Sequence, residues 1–364
     1  MRPTYLEINL SQLRRNVAAI RAKVAPAMVM PMIKANAYGH GVDGVAPFLE
    51  PVVDCFGVAV LEEGIALRQM GIRKPILVAG GVLSEQIPLF AEYDLILTGS
   101  SLELLDVAEE FAGAQGRRIT VHLKIDTGME RVGVHEYEAQ PFIERALRLK
   151  HVNVEGVYTH LANAEDADLL HARLQLERFE EVLSLYERLS EPRPALRHMA
   201  NSAAVLQFPE SYFDMVRPGL MTYGVIPAGM TDTVGVAPAA VWRSRVAYAK
   251  QTQPGRPVSY GSLWQAEKES RIVTVPCGYA DGYFRRMTNR AEVLVNGRRY
   301  PQVGRICMDQ FMVNVGDDPA QVGDEVVLLG EGISAHDLAA WMGTNEYEVL
   351  TSIGARVPRK FVSD

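Results

Sequence analysis

Cysteine is scarce. Cys55, Cys277 and Cys307 are spread over 364 residues with no C-x-x-C pair, which argues against a disulfide framework and a zinc knuckle. The eight histidines never form H-E-x-x-H, and His122 and His135 read as strand or surface residues rather than metal ligands, so no metal is expected. A long apolar run is also missing, and the opening MRPTYLEINLSQLRRNV lacks the apolar core of a secretory signal. The expectation is a cytoplasmic protein with no membrane association. Basic excess is absent: Lys and Arg number 37 against 44 Asp and Glu, a net charge of -7, which argues against nucleic acid as a partner.

What is present is enough apolar residue for a large core. Hydrophobic residues make up 48% and charged ones 22%, the profile of a folded chain of two domains, or of a barrel with a smaller unit. Apolar runs at 27–33, 55–60, 75–79, 94–99, 119–125, 152–159, 195–200 and 213–218 alternate with amphipathic stretches, the cue for βα units and a parallel sheet. Among the helical stretches are LEEGIALRQMG and SLELLDVAEEFAG, read as stopping at Gly71 and Gly113. A third, LLHARLQLERFEEVLSLYERL, has Leu170, Leu174, Phe179, Val182, Leu183 and Tyr186 at helical spacing, a core-facing stripe. Eight such units match an α/β (β/α)8 TIM-type barrel better than an open doubly wound sheet. After residue 238 the texture becomes β-rich, with an N-G turn in VNGR and one helical piece, ISAHDLAAWMG. The expected division is a barrel over 1–238 and a mostly β C-terminal domain over 239–364.

In such a barrel, chemistry collects where strands end. The first strand runs into VMPMIKANAYGHG, ending in Lys34 with Tyr38 close behind. The fifth ends in Lys124 and Asp126, followed by Arg131. The sixth ends in His160, the seventh in Asn201 and Ser202, the eighth in Arg217, Pro218 and Gly219. Loops after strands seven and eight are the usual phosphate site of a barrel, and here they offer Ser202 as an expected N-cap and Gly219 for close backbone approach. A lysine beside a phosphate site serves as a phosphate ligand or as a Schiff-base nucleophile. The second use requires pyridoxal 5′-phosphate. A competing signal, GHGVDG at 39–44, spells the dinucleotide G-x-G-x-x-G, but Lys34 to Tyr38 separate it from its strand. It is read as a turn and a helix start.

VMPMIKANAYGHG resembles the cofactor-lysine motif of the alanine racemases. KIDTGMERVG, YTHLANA, NSAA, RPGLMTYG, VSYG, GYADGY, GRICMDQ and NEYEVLTSIGARVPR are similar to further signatures of that family, in its order and over essentially the whole chain. The resemblance implies a homodimer with shared active sites, acting on alanine and supplying D-alanine for peptidoglycan. Lys34 would hold the cofactor and shuttle the α-proton on one face, with Tyr260 of the partner subunit as base on the other. Tyr38, Ser202, Tyr347 and the backbone of Gly219 and Leu220 would hold the phosphate. Arg217 would face the pyridine nitrogen, with His160 supporting it, and Arg131 would reach the phenolic oxygen. Met308 would meet the substrate carboxylate, and Lys124 would be a site of carbamylation.

These roles are chemically coherent. Arginine keeps its proton, with a pKa above about 12, so the pyridine nitrogen stays unprotonated, a weaker electron sink that favours proton exchange over transamination. Free tyrosine titrates near 10, so Tyr260 as a base requires nearby positive charge or hydrogen bonding, for which His160 and Arg217 are the candidates. Cys307 and Asp309 are read as a packing residue and a backbone-orienting residue. Two other readings stay open: a serine or broader amino-acid racemase, and a single-barrel cofactor carrier, which would end near residue 230.

Overall fold

Each apolar run becomes a strand, usually shorter than its run. In the computed structural model, which describes residues 2–192 and 194–364, chain order gives β1 (Tyr5–Asn9), β2 (Met28–Val29), β3 (Phe56–Val58), β4 (Ile76–Val78), β5 (Ile96–Gly99) and β6 (Ile119–Asp126). These are followed by β7 (Val134–His135), β8 (Val152–Tyr158), β9 (Leu196–His198), β10 (Met215–Val216), β11 (Ala240–Arg245) and β12 (Tyr248–Thr252). The last six are β13 (Ser270–Val275), β14 (Glu292–Val295), β15 (Arg298–Val303), β16 (Phe311–Gly316), β17 (Glu325–Leu329) and β18 (Arg359–Val362).

The chain forms two compact units. One holds Arg14–Ala37 and Val45–Val236; the other holds the chain up to Leu13, Tyr38–Gly44 and Ala237–Asp364. In the first, parallel strands run in the order β2-β10-β9-β8-β6-β5-β4-β3. A parallel bridge from Met32 to Gly57 joins the continuation of β2 to β3 and closes the ring. A closed parallel sheet has no edge and is covered on both faces, so β3, β4 and β5 are buried at every residue. Met30, Cys55, Leu77, Ile96, Tyr158 and Met215 pack inside it.

Helices cover the outside. Leu102–Ala114 begins at Ser101, whose side chain accepts from the Leu104 N–H. This helix runs through Gly113, the expected stop, and ends before the left-handed Gly116. Leu170–Arg188 buries Phe179, Val182, Leu183 and Tyr186, but Leu170 and Leu174 are 70% and 41% exposed. Its inner face runs instead through Ala172, Gln175 and Leu176, the positions in phase with Phe179.

The other unit is a sheet in the order β12-β13-β16-β15-β14-β17-β11-β1-β18. A division at residue 238 assigns the first thirteen residues to the barrel, yet β1 pairs antiparallel with β11 and parallel with β18. The unit is therefore assembled from three separate pieces of chain. Asn296 and Gly297, both with positive φ, make the expected N-G turn between β14 and β15. The helix Ala335–Met342 is capped by Ser334 and closed by a left-handed Gly343.

The glycines of GHGVDG serve packing in this unit. Gly39 has φ +79° and lies where a Cβ would strike the Leu350 carbonyl, and Gly44 lies against the Phe361 ring. Gly39→Ala should therefore lower unfolding stability by about 2–4 kcal/mol, through left-handed strain plus a backbone clash. Gly71→Ala, at φ +88° with nothing within 4 Å of the added Cβ, should cost only the strain of about 1 kcal/mol. Urea denaturation of both variants checks the difference.

Candidate functional site

Lys34 sits on a strained turn. The continuation of β2 is held by Met30 N–H to Val216 O and Met32 N–H to Pro218 O, and the Tyr223 hydroxyl donates to Met32 O at 2.9 Å. Ile33 then bonds to Gly57 O, and Ala35, Asn36, Ala37 and Tyr38 all adopt φ of 50–56°. A left-handed turn of side-chain-bearing residues costs about 1–2 kcal/mol each, so its neighbours must impose it. Glu63 does part of this, one carboxylate oxygen accepting from Ala35 N–H at 2.5 Å and the other from Ala59 N–H at 2.8 Å. Burial, then the Arg131 charge, lowers the Lys34 pKa against the opposing pull of Glu63.

Arg217, which follows β10, is buried, and both of its Nη atoms are engaged. Its Nη1 donates to His198 Nδ1 at 2.8 Å, and its Nη2 faces Thr159 O at 2.7 Å, Met199 O at 3.1 Å and His160 Nδ1 at 3.2 Å. Burial pulls its pKa down to about 10, which still leaves it charged at neutral pH. The expected support from His160 is therefore present. Burial and then Arg217 hold both His160 and His198 well below the ordinary imidazole range. Both rings are neutral, and because guanidinium only donates, each must accept at Nδ1 and carry its hydrogen on Nε2.

Lys124, the penultimate residue but one of β6, is 5% exposed, with Nζ 4.5 Å from the centre of the Tyr158 ring. Burial, then Arg217, drives its pKa well below that of an ordinary lysine. Asp126 does not neutralise it by a salt bridge. Its carboxylate accepts backbone N–H bonds from Gly128, Met129, Glu130 and Arg131 and so shapes the loop that carries Arg131. The rim is consequently rich in cations and poor in free carboxylate.

Ser202 is not the N-cap. Asn201 takes that place, its side chain accepting from Ala204 N–H. The Ser202 hydroxyl instead accepts from Gly219 N–H at 2.9 Å and Met221 N–H at 3.3 Å, so serine and backbone donors from two loops converge beside Leu220. Such a set, with a depressed amine and surplus positive charge, fits an anionic phosphate-bearing aldehyde.

The β-rich unit carries the remaining candidates. Tyr38 is buried with its ring 6.0 Å from that of Tyr347. Tyr260 is 69% exposed beside a groove of about 860 Å³ lined by Lys250, Arg256, Cys307 and Gln310 among others. Met308 is exposed, and its loop is held by Tyr279 N–H to Cys307 O and Ala280 N–H to Met308 O. Asp309 pairs with Arg356 at 2.8 Å. Glu63, Tyr158 and His198 escaped the sequence reading because each lies inside a strand or helix run that reads simply as core or surface.

Fold and charge together define the class: a (β/α)8-barrel enzyme with its polar chemistry at the carboxyl ends of the strands and a β-rich companion unit. Residues 8–227 match the family model described as alanine racemase, N-terminal domain, and residues 239–361 the C-terminal domain. An alanine racemase from Carboxydothermus hydrogenoformans is 43% identical over 100% of both chains, and one from Symbiobacterium thermophilum is 43% identical over 99% of this chain and 97% of the relative. Among solved structures, alanine racemase from Clostridium difficile 630 superposes with a TM-score of 0.94 at 37% identity, covering 100% of this chain and 97% of that one. The Bacillus anthracis enzyme with bound L-Ala-P gives 0.90 at 35%, covering 100% and 95%. The chain belongs to the alanine racemase family. A single-barrel carrier ending near residue 230 is excluded by the matched second part.

The lowered pKa of Lys34 puts uncharged, nucleophilic amine at pH values where exposed lysines are still protonated. Reductive methylation with formaldehyde, read by peptide mass spectrometry against pH, should therefore label Lys34 at lower pH than surface lysines. Arg131→Ala, which removes one of the two lowering influences, should move the Lys34 profile upward. A Lys34 profile coinciding with that of the surface lysines would refute the assignment.

Proposed function

We propose that this chain interconverts L-alanine and D-alanine with pyridoxal 5′-phosphate on the barrel rim, supplying D-alanine for peptidoglycan. The observation that carries this reading is Lys34: a depressed amine on an imposed left-handed turn, within a cation-rich rim. When bound, pyridoxal phosphate supplies an electron sink that weakens the α C–H bond of the amino acid.

The protein's part is binding, orientation and proton movement. Ser202, the Gly219 and Leu220 backbone, Tyr38 and Tyr347 hold the phosphate. Arg217 donates toward the pyridine nitrogen and has no proton to release at neutral pH. His160, neutral with hydrogen on Nε2, is left as a donor, and Arg131 faces the phenolic oxygen. Met308 meets the substrate carboxylate through its backbone. The Lys34 Nζ exchanges the α-proton on one face, and Tyr260, supplied by a second copy of the chain, exchanges it on the other. Its exposure in the single chain supports that assignment.

Lys124 becomes a carbamate in this reading. Its neutral amine adds to CO2, forming an N–C bond and releasing one proton, which turns a buried base into an anion among Arg217 and Arg131. With 13C-bicarbonate, the wild type should show a carbamate carbon resonance that Lys124→Ala lacks; an identical spectrum from the two would sink it.

The optical rotation of L-alanine with added pyridoxal phosphate should decay to zero. Lys34→Ala and Tyr260→Phe should each slow this by about three orders of magnitude or more, the scale expected for loss of an acid–base group together with its positioning. Mixed and allowed to exchange subunits, the two inactive variants should regain activity. A steady rotation from cofactor-loaded wild type would overturn the racemase reading, and no recovery despite proven exchange would overturn the shared site.

A further inference from the structure

Behind Arg217 lies a chain of polar groups that none of the proposed catalytic or binding roles uses. His198 Nε2 is 2.8 Å from His122 Nδ1, and His122 Nε2 is 3.1 Å from Glu155 Oε2. With the bond from Arg217 to His198 Nδ1, four residues on β6, β8, β9 and the loop after β10 form one line through the barrel. Both histidines are buried, whereas the Glu155 side chain is 38% exposed.

The polarity of this line is fixed at its ends. Guanidinium can only donate and carboxylate can only accept. His198 must therefore accept at Nδ1 and donate from Nε2, and His122 must do the same, ending on Glu155. Neither ring can reverse alone. A His122 carrying its hydrogen on Nδ1 would confront the Nε2–H of His198. Were His198 then to follow, its Nδ1–H would oppose the Arg217 Nη1–H.

The backbone is arranged to make the line. In the pairing of β6 with β8, Val121 faces Val154 and His122 faces Gly156, so Glu155 is the extra residue of a bulge. A bulge re-aims its side chain, here toward the His122 ring. Gly156 leaves room for that ring: a Cβ there would lie 2.8 Å from His122 Cγ. The His198 ring is clamped by Tyr158, stacked at 4.6 Å and 9°, and the Tyr158 hydroxyl bonds to Thr98 at 2.7 Å.

We propose that Glu155 and His122 are positioning residues for Arg217: their relay takes up the Nε2–H of His198, holds that ring in place, and so fixes the guanidinium that donates to it and faces the cofactor ring. The functional consequence rests on the reading of Arg217 given above, but the relay itself does not. Arg217 sets the direction and Glu155 anchors its far end: without that acceptor the His122 Nε2–H is left unpaired, and the ring is no longer held against His198.

The test uses the full chain labelled with 15N-histidine, with and without pyridoxal phosphate. Long-range imidazole spectra should place hydrogen on Nε2 of both His122 and His198, with no titration around the ordinary imidazole value of about 6.5. Glu155→Leu should release the His122 ring, replace its single-tautomer signature by an averaged one and shift the His198 resonances, while Glu155→Gln, whose amide oxygen still accepts, should keep both. In the loaded enzyme, Glu155→Leu should lower kcat for alanine about tenfold, the usual scale for losing an outer partner of a site, with KM nearly unchanged. It should also raise abortive transamination per turnover, and Glu155→Gln should restore both. An Nδ1–H or charged His122 in the wild type, or His198 resonances unmoved in Glu155→Leu, would overturn the relay. Failure of the wild type to bind pyridoxal phosphate, with the tautomers as expected, would instead overturn the reading of the site and leave the relay standing.

Discussion

Arg217 can only give hydrogen bonds, and much of the barrel interior is organised around that fact. One planar cation buried after β10 requires acceptors on every side. Two backbone carbonyls and two imidazole nitrogens provide them for its two Nη atoms. Because the histidines must accept, they must also be neutral, and burial beside Arg217 holds them so. One guanidinium thus sets the tautomers of His160 at the rim and His198 in the core.

The same burial crowds basic groups together with little carboxylate, among the described residues, to offset them. Lys124, Arg217 and Lys34 each have a lowered pKa, with burial as the first cause and a neighbouring cation among the others for both lysines. Asp126 is spent on four backbone N–H groups. Such a rim is less favourable empty than with an anion on it, since each cation repels the next in a poorly screened environment. In the proposed function, affinity for a phosphate-bearing group and reactivity at Lys34 would be two results of one electrostatic arrangement. The left-handed turn from Ala35 to Tyr38 stores backbone strain at the same place, the usual sign of a segment shaped by function rather than stability.

Period and punctuation in the sequence determined a good deal. The spacing of apolar runs was sufficient for eight parallel strands, because a strand buried on both faces reads as a continuous apolar run. The N-G turn and the capped helix after Ser334 were legible because each depends on two or three adjacent residues. The polar groups at strand ends were legible for a similar reason: in a closed barrel, the end of a strand is a position in space as well as in sequence. Errors fell where a local signal had a non-local competitor. Gly113 looked like a stop, and Ser202 looked like a cap until the Gly219 and Met221 N–H groups claimed it.

Only the tertiary structure decided the rest. That Tyr5–Asn9 joins β11 and β18 is a pairing across more than two hundred residues, and nothing local in YLEIN specifies it. The glycines of GHGVDG imitate a dinucleotide turn, yet Leu350 and Phe361 explain two of them. His122, His198 and Glu155 look in sequence like unrelated strand residues. A closed sheet with a bulge at Glu155 brings them into one line, and the chemistry of arginine and carboxylate at its ends gives that line a direction.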